Sequence, residues 1–414
     1  MAQIRPFAAY RPAPGMETRI AALPYDVYNR EEATQVVQNN PDSFLAIDRA
    51  ETSFGPEVDT YAPEVYEKAA DLLQERISAG HFIKEKAPCF YLYEQNFSGR
   101  SQTGIVGCAS IDDYLNNIIK KHENTRSDKE QDRIRHVDIC NMQTGPIFLA
   151  YRNNMILRET IAMAKQEQPI YDFTSEDGVG HRVWVIDDGE KIRLIGEIFD
   201  KISSIYIADG HHRCASAVKV GLMRREAHPD YTGQEEFNYF LSVFFPDEEL
   251  RIMDYNRVVK DLNGHTTKEF LEKIRENFLV DEIGEKPFRP ERKGTFGMYL
   301  EGRWYCLTAR EEILSDDPVE GLDVSLLQCH LLQPILGIED PKTDKRIDFV
   351  GGIRGLEELE QRVHTDMKVA FAMYPTSIDE LFSVADAGKL MPPKSTWFEP
   401  KLRSGFFLHD REAR

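Results

Sequence analysis

Ile205-Tyr206-Ile207-Ala208-Asp209-Gly210-His211-His212-Arg213 is the stretch whose reading decides the rest of the chain. Ile205, Tyr206 and Ile207 are strand formers in an apolar run, and Gly210 breaks it. A helical pattern follows at once through Ala215, Ala217, Val218 and Leu222, closing near Arg224 and Arg225. The pattern predicts a strand, a tight glycine turn and a helix N-terminus carrying Asp209, His211, His212 and Arg213. The free N–H groups of a helix start hold about half a positive charge, and a glycine lets backbone approach a ligand closely. Arg213 adds a planar fork of donors suited to phosphate oxygens. The local chemistry reads as an anion site, phosphate foremost. The competing reading is a turn with two exposed histidines. The Asp-Gly before the pair and the Arg after it weigh against that.

Composition narrows the class. The chain has 414 residues, room for two or three domains and a substantial core. It is 41% hydrophobic and 29% charged, the composition of a soluble globular protein. A formal net charge of -19 argues against nucleic acid as a partner and leaves room for a local basic pocket. Met1 to Pro14 hold no long apolar run, so no secretory signal is expected. No stretch approaches the roughly 18 apolar residues of a membrane span. The six cysteines are scattered with no C-x-x-C pair, which argues against structural zinc and a disulfide framework. The expectation is a reduced, cytoplasmic protein with no membrane partner.

Around the central stretch the chain reads as α+β in three parts: residues 1–87, 88–250 and 251–414. In the first part, Asn29 precedes a helix from Arg30 to Asn39, Ser43 to Ile47 reads as a strand, and Tyr61 to Ala79 as a helix. In the second, Cys89 to Tyr93 and Thr103 to Ser110 suggest a hairpin turning at Ser98-Gly99. Ser110 then looks like the cap of a helix through Ile111, Leu115, Ile118 and Ile119, with Lys120 and Lys121 at its negative end. Thr144-Gly145 turns into the strand Ile147 to Tyr151. Val183 to Ile186, Arg193 to Ile195 and Phe237 to Phe245 read as further strands. In the third part a hairpin turns at Glu301-Gly302, and helices start at Thr266 and Ser377.

Two charged stretches have two readings each. Residues 126 to 138 contain little that can be buried apart from Ile134 and Val137, as in a solvated helix. Alternatively Lys129 and Arg133, four apart and so on one face, lean over a phosphate. The stretch Met391 to Gly405 holds three prolines and the candidates Lys394, Ser395 and Lys401, which would border a cleft and meet a phosphorylated ligand. Its other reading is a tail tied down by Trp397 and Phe398. The P-loop, the Rossmann fingerprint, the protein-kinase triplets, a zinc-protease helix and a G-x-S-x-G elbow are all absent.

These residues carry a resemblance. Pro24-Tyr25-Asp26-Val27, Lys121-His122-Glu123-Asn124-Thr125, Gly145-Pro146-Ile147-Phe148, the Asp-Gly-His-His-Arg block and Pro392-Pro393-Lys394-Ser395-Thr396 make the whole chain similar to the large bacterial family called domain of unknown function 1015. Over about residues 110 to 250 it resembles the ParB/sulfiredoxin-like superfamily, and within that the free serine kinases of the SerK type. Their pattern is Pro-His-Glu, a helix, a Thr-Gly turn into a strand, then Asp-Gly-His-His-Arg. This chain has Lys121-His122-Glu123, Thr144-Gly145 and Asp209 to Arg213 in that order.

The resemblance implies a ParB/sulfiredoxin-like core with an added N-terminal segment and an α+β C-terminal domain. It implies Glu123 as catalytic base, with Asp209 and His212 shaping the reacting site. Gly210, His211, His212 and Arg213 would hold nucleotide phosphates beside Thr144. His122, Tyr25 and Asp26 become candidates for the substrate cleft. The expected cofactors are Mg²⁺, with Asp209 as its ligand, and ATP or ADP as phosphate donor. Lys121 stands where those kinases carry proline, and the interval from Glu123 to Asp209 is much longer here. Sulfiredoxins carry Gly-Cys-His-Arg, and His211 stands at that cysteine. ParB proteins add a basic DNA-binding surface, which a charge of -19 opposes.

Three functions follow. The first is a small-molecule kinase with a hydroxyl metabolite, free L-serine among the candidates, as acceptor: phosphoryl transfer needs positioned phosphates, a metal and a group to take the hydroxyl proton. The second is a nucleotide-binding regulator without transfer activity. The third is a hydrolase of a phosphorylated metabolite built on the same loop. Glu123 favours the enzyme, because a pure binder has no use for a base.

Overall fold

Asn29 starts the first long helix, Arg30–Asn39. Its side chain accepts the Glu32 N–H while the Glu32 carboxylate accepts the Asn29 N–H, a capping box that satisfies two helix-end donors. The computed structural model describes residues 1–412. It divides into two units: Met1–Leu250 joined by the chain from Pro400 onward, and Arg251–Glu399.

In the first unit, Leu45–Asp48 is one turn of helix with all four residues buried, where a strand was expected from Ser43 to Ile47. A short apolar run buried on all sides carries no period, so helix and strand look alike in sequence. Pro63–Ser78 follows, with proline at its first turn and Val65, Tyr66, Ala69 and Leu73 on its buried face. These helices close a core with Phe44, Phe82 and Leu408.

The main sheet has nine strands. Its order is Ile119–Lys120, Ile205–Asp209, Ile147–Tyr151, Tyr239–Pro246, Arg100–Ser110, Phe90–Phe97, Gly180–Ile186 and Tyr171–Thr174, with Ile4–Arg5 also paired to Arg100–Ser110. Phe90–Phe97 and Arg100–Ser110 form the expected hairpin; Ser98 (φ 51°) and Gly99 (φ 73°) both take the left-handed conformation such a two-residue turn requires. Most pairings are antiparallel. Ile119–Lys120 beside Ile205–Asp209, and Ile147–Tyr151 beside Tyr239–Pro246, are parallel.

Several expectations are corrected here. The helix after Ser110 is only Ile111–Leu115; Asn117 turns left-handed (φ 57°), and Ile119–Lys120 is a strand. Arg193 to Ile195 lies inside the helix Gly189–Phe199, capped by Asp188, with Ile195, Ile198 and Phe199 buried at helical spacing. Ser127–Cys140 is helical but not solvated: Glu130, Asp132, Arg133, Ile134, His136, Val137 and Cys140 are buried. The expected C-terminal part 251–414 is shorter, because the chain from Pro400 packs in the first unit. Ser404 bridges Ala22, Leu408 bridges Tyr10, and His409–Asp410 pairs with Met142–Gln143.

The second unit is a six-stranded antiparallel sheet in the order Phe278–Gly284, Arg303–Ala309, Thr295–Leu300, Val369–Ala372, Tyr255–Val259 and Ile347–Gly351. The helices Thr267–Asn277 and Ile378–Asp386 begin with capping boxes at Thr266 and Ser377. Among the described residues no helix is long and apolar enough to cross a membrane.

Candidate functional site

The parallel pairing of Ile119–Lys120 with Ile205–Asp209 sets Ile205 opposite Ile119 and Tyr206 opposite Lys120. Parallel neighbours end at the same side of a sheet, so Lys121-His122-Glu123 and Asp209-Gly210-His211 emerge together. The His122 and His211 rings meet edge to face, with centroids 4.5 Å apart. The His122 N–H donates to His211 Nε2 at 3.5 Å. Glu123 Oε2 lies 4.0 Å from His211 Nδ1, and its side chain keeps 34% exposure. One residue turn further on, the Arg126 N–H donates to His212 Nε2 at 2.9 Å.

Gly210 adopts φ 92° immediately before the helix His211–Ala227. A Cβ there would come within 3.1 Å of Arg213 Nε, so the guanidinium packs directly over this bare backbone. Arg213 Nη1 donates to the Pro146 carbonyl at 2.8 Å, and Nη2 stands 3.5 Å from Asp209 Oδ2. Lys401 Nζ lies 3.4 Å from the same oxygen. The walls desolvate Asp209, which would raise its carboxyl; the cations Lys401 and Arg213, with the His211 ring beside them, outweigh that and hold it at about 2. One carboxylate between two cations leaves a net positive charge at a helix N-terminus, an arrangement that attracts anions.

Both histidines of the His122–His211 contact are kept neutral. Burial pushes His122 down to about 3, with His211 adding to the fall, and burial pushes His211 down to about 4. With Nε2 of His211 accepting a backbone N–H, its proton sits on Nδ1, the atom nearest Glu123.

The other sequence candidates fall in different surroundings. Thr144 donates from Oγ1 to Asp48 Oδ1 at 2.9 Å, and its carbonyl accepts the Gly405 N–H. Arg133 is buried: Nε and Nη2 both lie 2.9 Å from Asp132 Oδ2, and the guanidinium sits 4.0 Å over the Tyr25 ring. Lys129 is partly exposed and donates to the Tyr61 hydroxyl at 3.2 Å. Asp26 is exposed and lines the same cavity as Tyr25, Lys129 and Arg133. Lys394 and Ser395 belong to the second unit. The Lys394 carbonyl accepts from Arg257, its ammonium stands 5.5 Å over the Tyr255 ring, and Ser395 Oγ donates to the Pro392 carbonyl.

Sequence reasoning missed Asp48 and Asp132, while Ser404 lies in the Met391 to Gly405 stretch read as meeting a phosphorylated ligand. Asp132 is adjacent to Arg133 and could have been read as its counter-charge. Asp48 gave no local signal; it and Ser404 reach the site through folding of distant segments.

Among the described residues no group of three or more His, Cys, Asp or Glu side chains could hold a metal ion. Asp209, already between two cations, offers no oxygen cage for Mg²⁺, whose octahedral shell would have to come from phosphates and water.

Fold and site together define an α+β protein whose first unit presents a cationic strand–glycine–helix loop with a carboxylate beside it. The chain belongs to the family described as "Protein of unknown function (DUF1015)", whose model matches residues 4–325. No curated protein matches. Among solved structures, the chain is similar to a mutant free serine kinase in complex with ADP, at 16% identity and TM-score 0.36, covering 71% of this chain and 87% of that one. It is similar to a conserved hypothetical protein from Pyrococcus furiosus, at 15% identity and TM-score 0.34, covering 72% and 93%. It is also similar to SbnI with a C-terminal truncation from Staphylococcus aureus, at 10% identity and TM-score 0.38, covering 71% and 82%.

Proposed function

We propose that this protein is a phosphotransferase that moves a phosphoryl group from ATP or ADP to the hydroxyl of a small metabolite, with free L-serine the first acceptor to test. The observation that carries the reading is Glu123: a partly exposed carboxylate 4.0 Å from a histidine of the anion-attracting loop. A site that only held phosphate would be weakened by a carboxylate there, whereas phosphoryl transfer needs a group to take the hydroxyl proton.

In this reading the donor's phosphates lie on the N–H groups that open His211–Ala227, with Arg213 and Lys401 supplying charge. The acceptor oxygen attacks the terminal phosphorus while the bond from that phosphorus to the bridging oxygen breaks. Glu123 takes the hydroxyl proton, and the shortened nucleotide leaves. Neutral His211, protonated on Nδ1, holds the wall beside Glu123 without adding charge. The core around the loop is the ParB/sulfiredoxin-like part, extended by the N-terminal helices. Mg²⁺ would enter with the nucleotide, and the protein would work in the cytoplasm.

The test is incubation of the full chain with ATP or ADP, Mg²⁺ and L-serine or related hydroxyl metabolites, followed by detection of the phosphorylated acceptor. Transfer abolished by Glu123→Gln supports the reading. Nucleotide binding without transfer to any acceptor makes the protein a regulator, and phosphate release without an acceptor makes it a hydrolase.

A further inference from the structure

The first unit contains a cavity of about 290 Å³ between the N-terminal helices and Ser127–Cys140. A smaller space of about 20 Å³ shares Tyr25, Asp48, Arg133 and His136 with it and reaches Thr144, Gly145 and Arg213. The two spaces thus share a wall, and the smaller one borders the anion loop at Arg213. Its wall is charged and buried, which is costly unless each charge is matched. Two pairs are matched internally: Arg49 Nε with Glu51 Oε1 at 2.5 Å, and Arg133 with Asp132.

Two groups keep unused capacity. Asp48 is 4% exposed; its Oδ1 accepts from Thr144, and among the described residues its Oδ2 accepts no hydrogen bond. The nearby His136 Nε2, 3.9 Å from Oδ1, is bonded to the Ile47 carbonyl. Arg133 spends Nε and Nη2 on Asp132 and, among the described residues, leaves Nη1 without an acceptor. A carboxylate oxygen on the cavity wall with no protein donor suits an ammonium, and a guanidinium edge on the same wall suits an anion. The mouth of the cavity carries a second cation, Lys129, beside the Tyr61 hydroxyl.

Size adds a constraint. About 290 Å³ is room for roughly ten waters at about 30 Å³ each. Free serine would displace only part of them.

Resting on the phosphotransferase reading above, we propose that this cavity is the acceptor site and takes a hydroxylated zwitterion longer than a free amino acid, of the size of a seryl dipeptide. Its ammonium sits on Asp48, its acid end reaches the Arg133 and Lys129 side of the wall, and its hydroxyl points through the narrow space toward Arg213.

Calorimetric titration of the full chain with L-serine, serylglycine and N-acetyl-L-serine tests this, with transfer assayed in parallel. The expected result is serylglycine binding at least tenfold tighter than L-serine, and N-acetyl-L-serine at least tenfold weaker than L-serine. Asp48→Asn should weaken serylglycine tenfold or more. Lys129→Ala, at a partly exposed position, should weaken it about threefold and leave N-terminal discrimination intact. The proposal is overturned by serine binding as tightly as the dipeptide, by the acetylated probe binding as well as the free ammonium, by no probe binding, or by an unaffected Lys129→Ala. Transfer to free serine with the dipeptide excluded removes the cavity assignment and leaves the kinase reading. Dipeptide binding with no transfer to any probe removes the kinase reading and keeps the cavity as a ligand site.

Discussion

Lys401 Nζ lies 3.4 Å from Asp209 Oδ2 although 192 positions separate the two residues. The contact exists because the Lys401 carbonyl accepts from Gln95 at 2.9 Å, which pins the returning chain to the main sheet. Arg213 flanks the same carboxylate from the other side. A loop that would otherwise hold one arginine and one aspartate, near neutrality, is thereby left cationic.

Lys401→Met should therefore weaken nucleotide binding more than it weakens folding. A charge-assisted hydrogen bond is worth on the order of 1.5–3 kcal/mol, about tenfold to a hundredfold in affinity. Titration with ADP at low and high salt checks this: the loss should shrink as salt rises, because screening weakens the contribution being removed. Unchanged affinity at low salt would confine Lys401 to a structural part.

Glu123→Gln and Arg213→Ala should separate chemistry from binding. The glutamine keeps the shape and cannot take a proton, so nucleotide affinity stays near wild type while turnover drops ~10²-fold or more. Removing the Arg213 fork should cost about tenfold to a hundredfold in nucleotide affinity. Wild-type turnover in Glu123→Gln would eliminate it as the base.

The buried histidines predict acid sensitivity. Burial holds His122 at about 3 and His211 at about 4, below an unfolded value of about 6.5. Between those limits the unfolded chain binds more protons than the folded one. Stability is thus fully present above about pH 6.5 and is lost as pH falls toward about 4, by up to about 1.4 kcal/mol per pH unit for each histidine. Denaturant unfolding from pH 7.5 to 4.5 should show this slope. His122→Gln should remove one histidine's share of it, and an unaltered slope would contradict the assignment.

Much of the site was legible before folding was known, and the reason is locality. The apolar run ending at Asp209, the glycine and the helical period after it are features of neighbouring residues. The capped helix starts at Asn29, Thr266 and Ser377 and the tight turns at Ser98-Gly99 and Glu301-Gly302 are equally local. What was lost is pairing at a distance. Glu130, Asp132, Arg133 and His136 look like a solvated face because a sequence shows charges without their partners; Tyr66, Lys219 and Ile47 supply those partners from elsewhere. Arg193 to Ile195 went astray because three residues are too few to reveal the period that Ile195, Ile198 and Phe199 share.

Arg133→Ala should be among the most damaging substitutions in the first unit. It strips Asp132 of its cation inside the fold, and breaking a buried pair from one side costs about 3–5 kcal/mol. Arg133→Met with Asp132→Asn should recover much of that loss, since neither charge then remains to be solvated. Thermal unfolding of the single and double variants decides it; a double variant no better than the single one would show that the aromatic contact with Tyr25, rather than charge balance, dominates.

The return of the chain at Pro400 also orders events during synthesis. The loop, Glu123 and the strands that carry them are complete once Pro246 has been made, yet Lys401 and Ser404 arrive only after the whole of Arg251–Glu399 has been translated. A polypeptide released early by the ribosome carries the loop and still lacks the second cation beside Asp209. On the phosphotransferase reading, competence is thus withheld from fragments: a loop with both cations needs a chain read past Lys401.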